Sequence, residues 1–342
     1  MAKTRGLLLC NLGTPASTDV KDVRAFLKEF LSDPRVLDMS PIGRWMLLNL
    51  IILPRRPKKS SEAYAKIWTD EGSPILVNSR EFAKGLAQHL GEEWVVGLGM
   101  RYGNPSMEQA LRGLIDARVD EIVFLPLYPQ YALSSTATSI ERFEELASQQ
   151  PDMPSFRVVK NFYDHEGFCG PSAALAGEHL QDDVDHVLFS FHGLPVHQVQ
   201  ATDPTGEHCS KSSNCCDAIC EANQNCYSAQ SHVTARRLAA SLGLKDGSWS
   251  VSFQSRLTKV PWLEPATDKR VVELAEQGLK HLAIMCPSFV SDNLETLEEI
   301  NMQAREDFLA SGGKEFSFIP CLNARPDWIE GVASIVMDRI SE

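Results

Sequence analysis

The chain has 342 residues, of which 43% are hydrophobic and 23% are charged, and its formal net charge is −12. This composition is typical of a globular protein, and the length suffices for two domains that each bury a core. The negative charge argues against a nucleic-acid-binding protein, because phosphate recognition requires a basic surface. The longest strongly apolar run, Trp45 to Leu53, is shorter than the about 20 residues that span a bilayer, and the N-terminal sequence has no signal-peptide core. We therefore expect a cytoplasmic protein.

Short apolar or β-branched runs alternate with longer helical patterns along the chain. The predicted strands are Gly6–Leu12, Trp94–Met100, Glu121–Leu127, Phe156–Asn161, His186–Phe191, Trp249–Phe253, His281–Cys286 and Phe316–Ile319. The predicted helices include Ser79–Leu90, Ser106–Ala117, Ser139–Gln149, Asn293–Ala310 and Asp327–Ile340. Nearly continuous apolar runs are typical of parallel strands that are covered on both faces. The alternation predicts a doubly wound α/β architecture, in which the strands divide into two similar sets of four.

Polar, aromatic and glycine residues follow several of the predicted strands. Because ligands of open α/β sheets bind beyond the carboxyl ends of the strands, these positions are the first candidates for a site. His192 ends an apolar strand and is followed by Gly193, and a neutral imidazole there could take up a proton or bind a transition metal. The alternative is a strand-end histidine that hydrogen-bonds to neighbouring backbone, and the motif alone does not separate the two interpretations.

A second candidate is the acidic helix entry at residues 291–299. Asp292, Glu295 and Glu299 have i, i+3 and i+7 spacing, which would place three carboxylates on one helix face. Helix capping could explain Asp292 as the N-cap and Glu295 as the second half of a capping box. It does not explain Glu299, because like charges four residues apart destabilise a helix slightly. A carboxylate ladder of this kind could carry protons or cations.

A third candidate is the apolar run Trp45–Leu53 together with the basic residues that follow it, Arg55, Arg56, Lys58 and Lys59. Apolar residues beside a basic patch in an acidic protein suggest contact with an apolar anion or with a membrane surface. The alternative is a core helix with a solvated basic end. Peripheral membrane contact is therefore one of the interpretations that stay open.

These features, in this order, resemble the ferrochelatase family, and the resemblance covers essentially the whole chain. It is carried by Asn11-Leu12-Gly13-Thr14-Pro15, Arg55-Arg56, Tyr64, Gly72-Ser73-Pro74-Ile75, Arg101-Tyr102, Leu127-Tyr128-Pro129-Gln130-Tyr131, Ser190-Phe191-His192-Gly193-Leu194-Pro195, Phe253-Gln254-Ser255-Arg256, Pro261-Trp262-Leu263 and Ser291-Asp292-Asn293-Leu294-Glu295-Thr296-Leu297. The resemblance implies a lyase of haem biosynthesis that inserts Fe²⁺ into protoporphyrin IX, forms protohaem and releases two protons. The implied partners are protoporphyrin IX and ferrous iron.

The resemblance also implies two similar α/β domains, each with a four-stranded parallel sheet flanked by helices, and a porphyrin cleft between them. The first domain would comprise residues 1–163, with a C-terminal helix in 321–342 packing back on it. The second would comprise residues 164–320 and would contain a cysteine-rich insertion at 206–227.

Individual roles follow from the same resemblance. The catalytic residues would be His192, Glu295, Asp292 and Glu299. His192 would act as the base, and Glu295 would face it across the macrocycle, so that both would also meet the Fe²⁺. The positions that match substrate-binding residues are Leu12, Arg56, Lys59, Arg101, Tyr102, Ser255 and Trp262. Asn293 stands where many relatives have histidine, so no imidazole is available at that position for a proton relay.

Five of the nine cysteines form a cluster with the spacing Cys209-x5-Cys215-Cys216-x3-Cys220-x5-Cys226. In a cytosolic protein this density indicates a metal site rather than disulfides. The adjacent pair favours a [2Fe–2S] cluster, which takes four thiolates, because neighbouring cysteines can bind two different irons. Zinc and a redox-labile grouping remain alternatives.

A bacterial ferrochelatase subgroup with an internal [2Fe–2S] cluster resembles this chain in the same segment. That resemblance implies Cys209, Cys215, Cys216 and Cys226 as the ligands and leaves Cys220 spare. The remaining cysteines are predicted to be small buried apolar residues; they are Cys10, Cys169, Cys286 and Cys321.

Two other functions remain compatible with the sequence. One is a chelatase for another tetrapyrrole, such as coproporphyrin or a cobalt-corrin precursor. The other is a non-catalytic carrier of haem or of an iron–sulfur cluster, which would bind porphyrin without metallating it.

Overall fold

The computed structural model describes residues 3–257 and 260–341, which form two compact units. The first unit comprises the described residues up to Tyr128, then Leu133–Asn161, and the residues from Asn323 onward. The second comprises Pro129–Ala132 and Phe162–Leu322. The predicted boundaries, after residue 163 and before residue 321, lie two residues from these divisions. The placement of Pro129–Ala132 with the second unit was not predicted.

The first unit is built on a four-stranded parallel sheet in the order β2-β1-β3-β4. Its strands are β1 (Arg5–Thr14), β2 (Trp94–Gly103), β3 (Glu121–Pro126) and β4 (Ser155–Val158). Every residue of β3 is buried, as are residues 6–11 of β1. This is the burial that near-continuous apolar runs predict for parallel strands with helices on both faces.

The helices of this unit are α1 (Val20–Ser32), α2 (Pro41–Met46), α3 (Leu53–Ile67), α4 (Pro74–Leu90), α5 (Met107–Asp116) and α6 (Thr138–Ser148). Two π-helical segments accompany them, Leu47–Ile52 between α2 and α3 and Leu133–Ala137 before α6. The interpretation of the 45–53 run as a core helix is wrong, because Trp45 is 60% exposed and Leu50 is 57% exposed. No described helix has the length and apolar character needed to cross a membrane.

The second unit repeats the same arrangement, with the strand order β6-β5-β7-β8. Its strands are β5 (His186–His192), β6 (Trp249–Gln254), β7 (His281–Met285) and β8 (Glu315–Ile319). Its helices are α7 (Glu166–His179), α8 (Val196–Gln200), α9 (Tyr227–Ser241), α10 (Thr267–Glu276) and α11 (Arg305–Ala310), and a π-helix, Glu295–Ala304, leads into α11. The prediction of two similar four-stranded α/β halves is therefore confirmed.

The last helix, α12 (Pro326–Ser341), belongs to the first unit. It packs against α4, where the fully buried ring of Trp328 stacks on Phe82 with ring centroids 5.7 Å apart. Burial of two large aromatic rings in this contact fixes the helix on the first sheet's flank.

All eight predicted strands are present, but several run further than expected. β1 extends to Thr14, β2 to Gly103, β5 to His192 and β6 to Gln254. Polar residues that were predicted to follow the strands therefore form the last rungs of the sheets, where backbone hydrogen bonds hold them. The predicted α-helix Asn293–Ala310 is corrected, because its first ten residues from Glu295 are π-helical.

Candidate active site

His192 occupies the last position of β5, with its backbone and its ring both fixed. Its backbone N–H donates to Oγ of Ser288 at 3.0 Å, and its Nδ1 lies 2.7 Å from the carbonyl oxygen of Gly193. A carbonyl can only accept, so Nδ1 carries the ring proton and the lone pair is placed on Nε2. The bond to neighbouring backbone, which the sequence offered as an alternative to a functional role, instead selects the tautomer that a base needs.

The environment of His192 keeps its imidazole neutral. Burial lowers the pKa of His192, and this outweighs the charge of Glu295 and the carbonyl of Gly193, which both favour the protonated ring. The ring of Phe289 lies edge-on to the imidazole, with centroids 6.1 Å apart. A neutral ring near pH 7 can accept a proton or offer a lone pair to a metal ion.

Gly193 allows a close approach that shapes the turn after His192. A Cβ at this position would lie 2.6 Å from the carbonyl oxygen of Gln254 and 3.4 Å from Cε3 of Trp262. The strand ends are joined here by the Gly193 N–H, which donates to the Gln254 carbonyl at 2.7 Å. Trp262 is held beside the turn because Leu263 donates its N–H to the Leu194 carbonyl at 2.9 Å. The predicted site residues His192 and Trp262 are thus brought together.

The helix entry after β7 is capped by residues other than those predicted. Asn293 accepts from the N–H of Thr296 through Oδ1, and the Asn293 N–H donates to Oγ1 of Thr296. The predicted capping box of Asp292 and Glu295 is therefore wrong. Asp292 is buried, and its Oδ1 instead accepts from Oγ1 of Thr296 and from the N–H of Cys321, both at 3.1 Å. These bonds tie Asp292 into the fold beside the acidic helix.

The π-helix places Glu295 and Glu299 close enough to influence each other. Burial raises the pKa of Glu299 to about 7, bonds from Ser255 oppose this, and the charge of Glu295 adds to the increase. The Ser255 N–H donates to Oε1 of Glu299 at 2.8 Å, and its hydroxyl donates to Oε2. Ser255 adopts φ +67°, a conformation rare for a residue with a side chain. Glu299 can therefore hold or release a proton near neutral pH.

Replacing Glu299 by Gln should change how stability depends on pH. Between its ordinary pKa of 4.5 and about 7, the carboxyl ionises in the unfolded chain but stays protonated in the fold, so its contribution to stability falls as pH rises. The full loss amounts to at most about 3 kcal/mol. The unfolding free energy of Glu299→Gln relative to the wild type should therefore increase from pH 5 to pH 8, as measured by denaturant unfolding.

The exposed position Glu306 on α11 supplies the control variant, Glu306→Gln. A difference between Glu299→Gln and the wild type that is the same at both pH values would contradict the raised pKa.

The predicted substrate-binding residues of the first unit fall into two groups. Arg56 and Lys59 are exposed on α3, and Leu12 is half-buried in β1. Arg101 and Tyr102 are engaged with other side chains of the first unit. Arg101 Nη2 lies 2.6 Å from Asp33 Oδ2, the Tyr102 hydroxyl donates to the same oxygen at 2.8 Å, and Tyr102 is 1% exposed. The structure thus gives this pair a firm structural role, and substrate contact by these two residues stays a prediction.

The cysteine segment between α8 and α9 brings four of its five thiols near one another. The Sγ atoms of Cys215 and Cys216 are 3.8 Å apart. Cys226 hydrogen-bonds to both Cys209 and Cys216. Cys209 and Cys226 are buried, at 2% and 1% exposure. Cys220 is exposed instead, and its Sγ lies 3.7 Å from Nε2 of His208.

Two buried polar side chains fold this segment. Asp203 accepts from the N–H groups of His208 and Cys209, and these bonds hold its pKa well below its usual range. Asn223 donates to the carbonyls of Cys215 and Ala218. The loop is therefore organised by bonds to its own backbone, which positions the thiols without regular secondary structure.

Sulfur contacts surround the paired cysteines. The N–H of Ser210 lies 3.4 Å from Sγ of Cys215, and Ser210 has φ +62°. Cys216 contacts the hydroxyl of Ser228 at 3.3 Å and hydrogen-bonds to His232. Burial and the bond to Cys226 raise the pKa of Cys216 to about 12, with the bond contributing more. Cationic metal centres overcome such costs by binding the thiolate form.

The sequence did not single out three residues that the structure places at these sites. Ser288 follows β7 and holds the backbone of His192, and its position at a strand end was the one available signal. Tyr227 and His232 lie on α9 next to the cysteines, and their spacing carries no recognisable motif.

A further group of potential metal ligands lies among the described residues at the opposite end of the second sheet. Asp183, His281 and Glu315 offer ligand atoms within 4.8 Å of one another. Both ring nitrogens of His281 already have partners, Asp183 at 3.1 Å and the Ser317 hydroxyl at 2.8 Å. This group is fully explained as hydrogen bonding that closes the start of β7.

Comparison with known proteins places the whole chain in one context. The ferrochelatase family model matches residues 4–340. A ferrochelatase of Pseudomonas fluorescens (strain Pf0-1) is 45% identical over 333 residues, which is 96% of either chain. A ferrochelatase of Bdellovibrio bacteriovorus is 44% identical over 333 residues, 97% of this chain and 98% of that one. Among solved structures, SirB from Bacillus subtilis with Fe³⁺ superposes with a TM-score of 0.57 at 10% identity, covering 98% of this chain and 95% of that one, which shows a shared fold.

Proposed function

We propose that this chain, which belongs to the ferrochelatase family and is a porphyrin metal chelatase of haem biosynthesis, inserts Fe²⁺ into protoporphyrin IX with His192 as the base. The observation that carries the proposal is the fixed tautomer of His192, whose Nδ1 proton is held by the Gly193 carbonyl. Metal insertion releases two pyrrole protons, so a neutral nitrogen base at the ring centre is what the reaction requires.

His192 would take the pyrrole protons at Nε2. Burial keeps its ring neutral before the reaction, and the nearby charge of Glu295 stabilises the imidazolium that forms. The bond from the His192 N–H to Ser288 holds the residue in place while the proton moves. The porphyrin loses two protons, Fe²⁺ takes their place among four nitrogens, and no electron is transferred.

Glu295 and Glu299 would carry protons away from the reaction centre or guide the incoming cation. Both lie on the π-helix, and a π-helix in a protein is frequently found at a functional site. The pKa of Glu299, raised to about 7, lets this carboxyl alternate between its two forms near neutrality. Asp292, buried beside Thr296 and Cys321, would support the start of the path.

Basic and apolar residues would supply the binding energy for the porphyrin. Arg56 and Lys59 are exposed cations that can pair with propionates. Ser255 could also bind a propionate, provided its hydroxyl leaves Glu299. Leu12 and Trp262 offer apolar contact to the macrocycle. Binding energy of this kind can bend the ring and expose a pyrrole lone pair to the metal.

The test is a metallation assay on the purified chain, read by the loss of porphyrin fluorescence as Fe²⁺ or Zn²⁺ enters. Protoporphyrin IX and coproporphyrin are compared side by side at equal concentration. Faster metallation of protoporphyrin supports the proposal, and faster metallation of coproporphyrin replaces its substrate. Tight porphyrin binding without any metallation would instead identify a carrier.

We further propose that Cys209, Cys215, Cys216 and Cys226 hold a [2Fe–2S] cluster. These thiols form a chain of close pairs, 209 with 226, 226 with 216, and 216 with 215. Among the described residues, no three cysteine sulfurs lie within 4.8 Å of one another. A single tetrahedral zinc would need all its sulfurs about 3.8 Å apart, so the chain of pairs fits a two-iron centre better. When bound, such a cluster supplies a rigid cross-link and a one-electron redox centre.

The first unit also offers a surface that we propose contacts an anionic membrane peripherally. Ile42, Trp45 and Leu50 project from α2 and the following π-helical segment, with Ile42 75% exposed. The exposed cations of α3 follow directly. An apolar face beside Lys and Arg is the arrangement that binds the headgroup region of anionic lipids.

Flotation with vesicles measures this contact. The double variant Trp45→Glu, Leu50→Glu should float with anionic vesicles at least about tenfold less than the wild type, because it loses apolar burial and gains repulsion. The control is Leu309→Glu, which changes an exposed leucine on α11. Equal flotation of the double variant and the wild type would contradict the proposal.

A further inference from the structure

The first turn of α9 lies between the cysteine segment and the end of β5. The helix begins at Tyr227, directly after the cysteine at position 226. Residues four apart share a helix face. Ser228 and His232 form one such pair, and both contact Cys216. Tyr227 and Ser231 form the other pair and face away from these contacts, with the Ser231 hydroxyl donating to the Tyr227 carbonyl at 2.8 Å.

The hydroxyl of Tyr227 is buried and is directed at the backbone of the catalytic histidine. It faces the hydroxyls of Ser231 and Ser288 and the N–H of His192. Within hydrogen-bonding geometry it has no partner. Ser288 is the same residue that accepts the His192 N–H at 3.0 Å. A buried hydroxyl without a bond is costly, so a small adjustment that closes the bond to Ser288 is favourable.

We infer that Tyr227 is a positioning residue that couples the cysteine site to His192 through the hydroxyl of Ser288. The inference rests on the proposed cluster and on the proposed role of His192. Cys226 is bonded covalently to Tyr227, so a centre that fixes the Cys226 sulfur also fixes the start of α9. The tyrosine ring carries that constraint to Ser288 and to the last rung of β5.

This coupling gives the cysteine site a role in metallation that needs no electron transfer. A fixed α9 holds the His192 backbone, and with it the direction of the imidazole. A displacement of a catalytic group by about 1 Å can cost up to about 100-fold in rate. Loss of the cluster would therefore slow proton removal without altering the groups that bind porphyrin.

Tyr227→Phe tests the positioning role, because it keeps the ring and removes the hydroxyl. We expect kcat for metallation to fall about 10- to 100-fold with KM for porphyrin unchanged. Hydrogen exchange at the His192 amide should become faster, and the melting temperature should change little. Tyr163→Phe, another buried tyrosine of the second unit, is the control. Unchanged kcat and unchanged exchange in Tyr227→Phe would overturn the inference.

Ser288→Ala provides a second variant, because it removes the acceptor of the His192 N–H directly. Combined with Tyr227→Phe, it should lower kcat no further than it does alone, since both changes break one path. Additive losses would show that Tyr227 and Ser288 act independently and would overturn the path.

The coupling itself is measured with Cys209→Ser, which removes a proposed ligand without changing Cys226. This variant should lower kcat in the Tyr227 background and have little further effect in the Tyr227→Phe background. Equal effects in both backgrounds would overturn the coupling. A wild-type protein without cluster absorbance would refute the cluster alone, and exchange at the His192 amide would still decide whether Tyr227 positions His192.

Discussion

His192→Ala should reduce metal insertion by about 100- to 10,000-fold, the range expected when a general base is removed. The neutral imidazole, with Nδ1 held by the Gly193 carbonyl at 2.7 Å, is the group in the site whose free lone pair can take a pyrrole proton. Alanine offers no base, and its small side chain leaves the β5 backbone intact. The measurement is the initial rate of Zn²⁺ or Fe²⁺ insertion into protoporphyrin, with porphyrin binding followed separately by fluorescence.

The matched control is His197→Ala, an exposed histidine on α8 in the same unit. It should retain its rate, which separates loss of the base from a general effect of removing a histidine. If His192→Ala binds porphyrin normally and metallates it within about tenfold of the wild type, another group removes the protons. Glu299, with a pKa of about 7, would then be the first alternative to examine.

The fold could be predicted because its information is local. Apolar runs such as β3 and β7 are buried along their whole length, and burial of this kind is what makes a parallel strand legible in a sequence. The π-helix Glu295–Ala304 was not predicted, because acidic and apolar residues there fit a 3.6-residue period equally well. The identity of its cap, Asn293 rather than Asp292, depends on Asp292 being engaged by Cys321 from another part of the chain.

The candidate site was predicted in its residues but not in its connections. His192, Glu295 and Glu299 were singled out from motifs and resemblance, and the structure places them in mutual electrostatic reach. The tautomer of His192 is set by one carbonyl and could not be read from residue types. Tyr227 could not be found either, because its importance comes from facing Ser288, which lies about 60 residues further along the chain.

Replacing any one of Cys209, Cys215, Cys216 and Cys226 by serine should abolish the cluster, whereas Cys220→Ser should leave it in place. The first four thiols lie in a chain of contacts, and Cys220 is exposed beside His208. Protein purified without oxygen is measured by its visible charge-transfer bands and by its content of iron and acid-labile sulfide. The wild type and Cys220→Ser should each contain two of both per chain.

The five serine variants together distinguish the ligand set from the type of centre. A Cys220→Ser protein that loses its iron while Cys209→Ser keeps it would show that the exposed thiol is a ligand and that the buried one is spare. A colourless wild-type protein that contains zinc would refute the cluster and leave the thiols as a zinc site. Serine can neither supply thiolate charge nor form the same soft bond to iron, so even a variant that folds normally cannot replace a true ligand. Retention of cluster absorbance in a variant therefore excludes that cysteine as a necessary ligand, while its melting temperature reports separately on the fold of the loop held by Asp203 and Asn223.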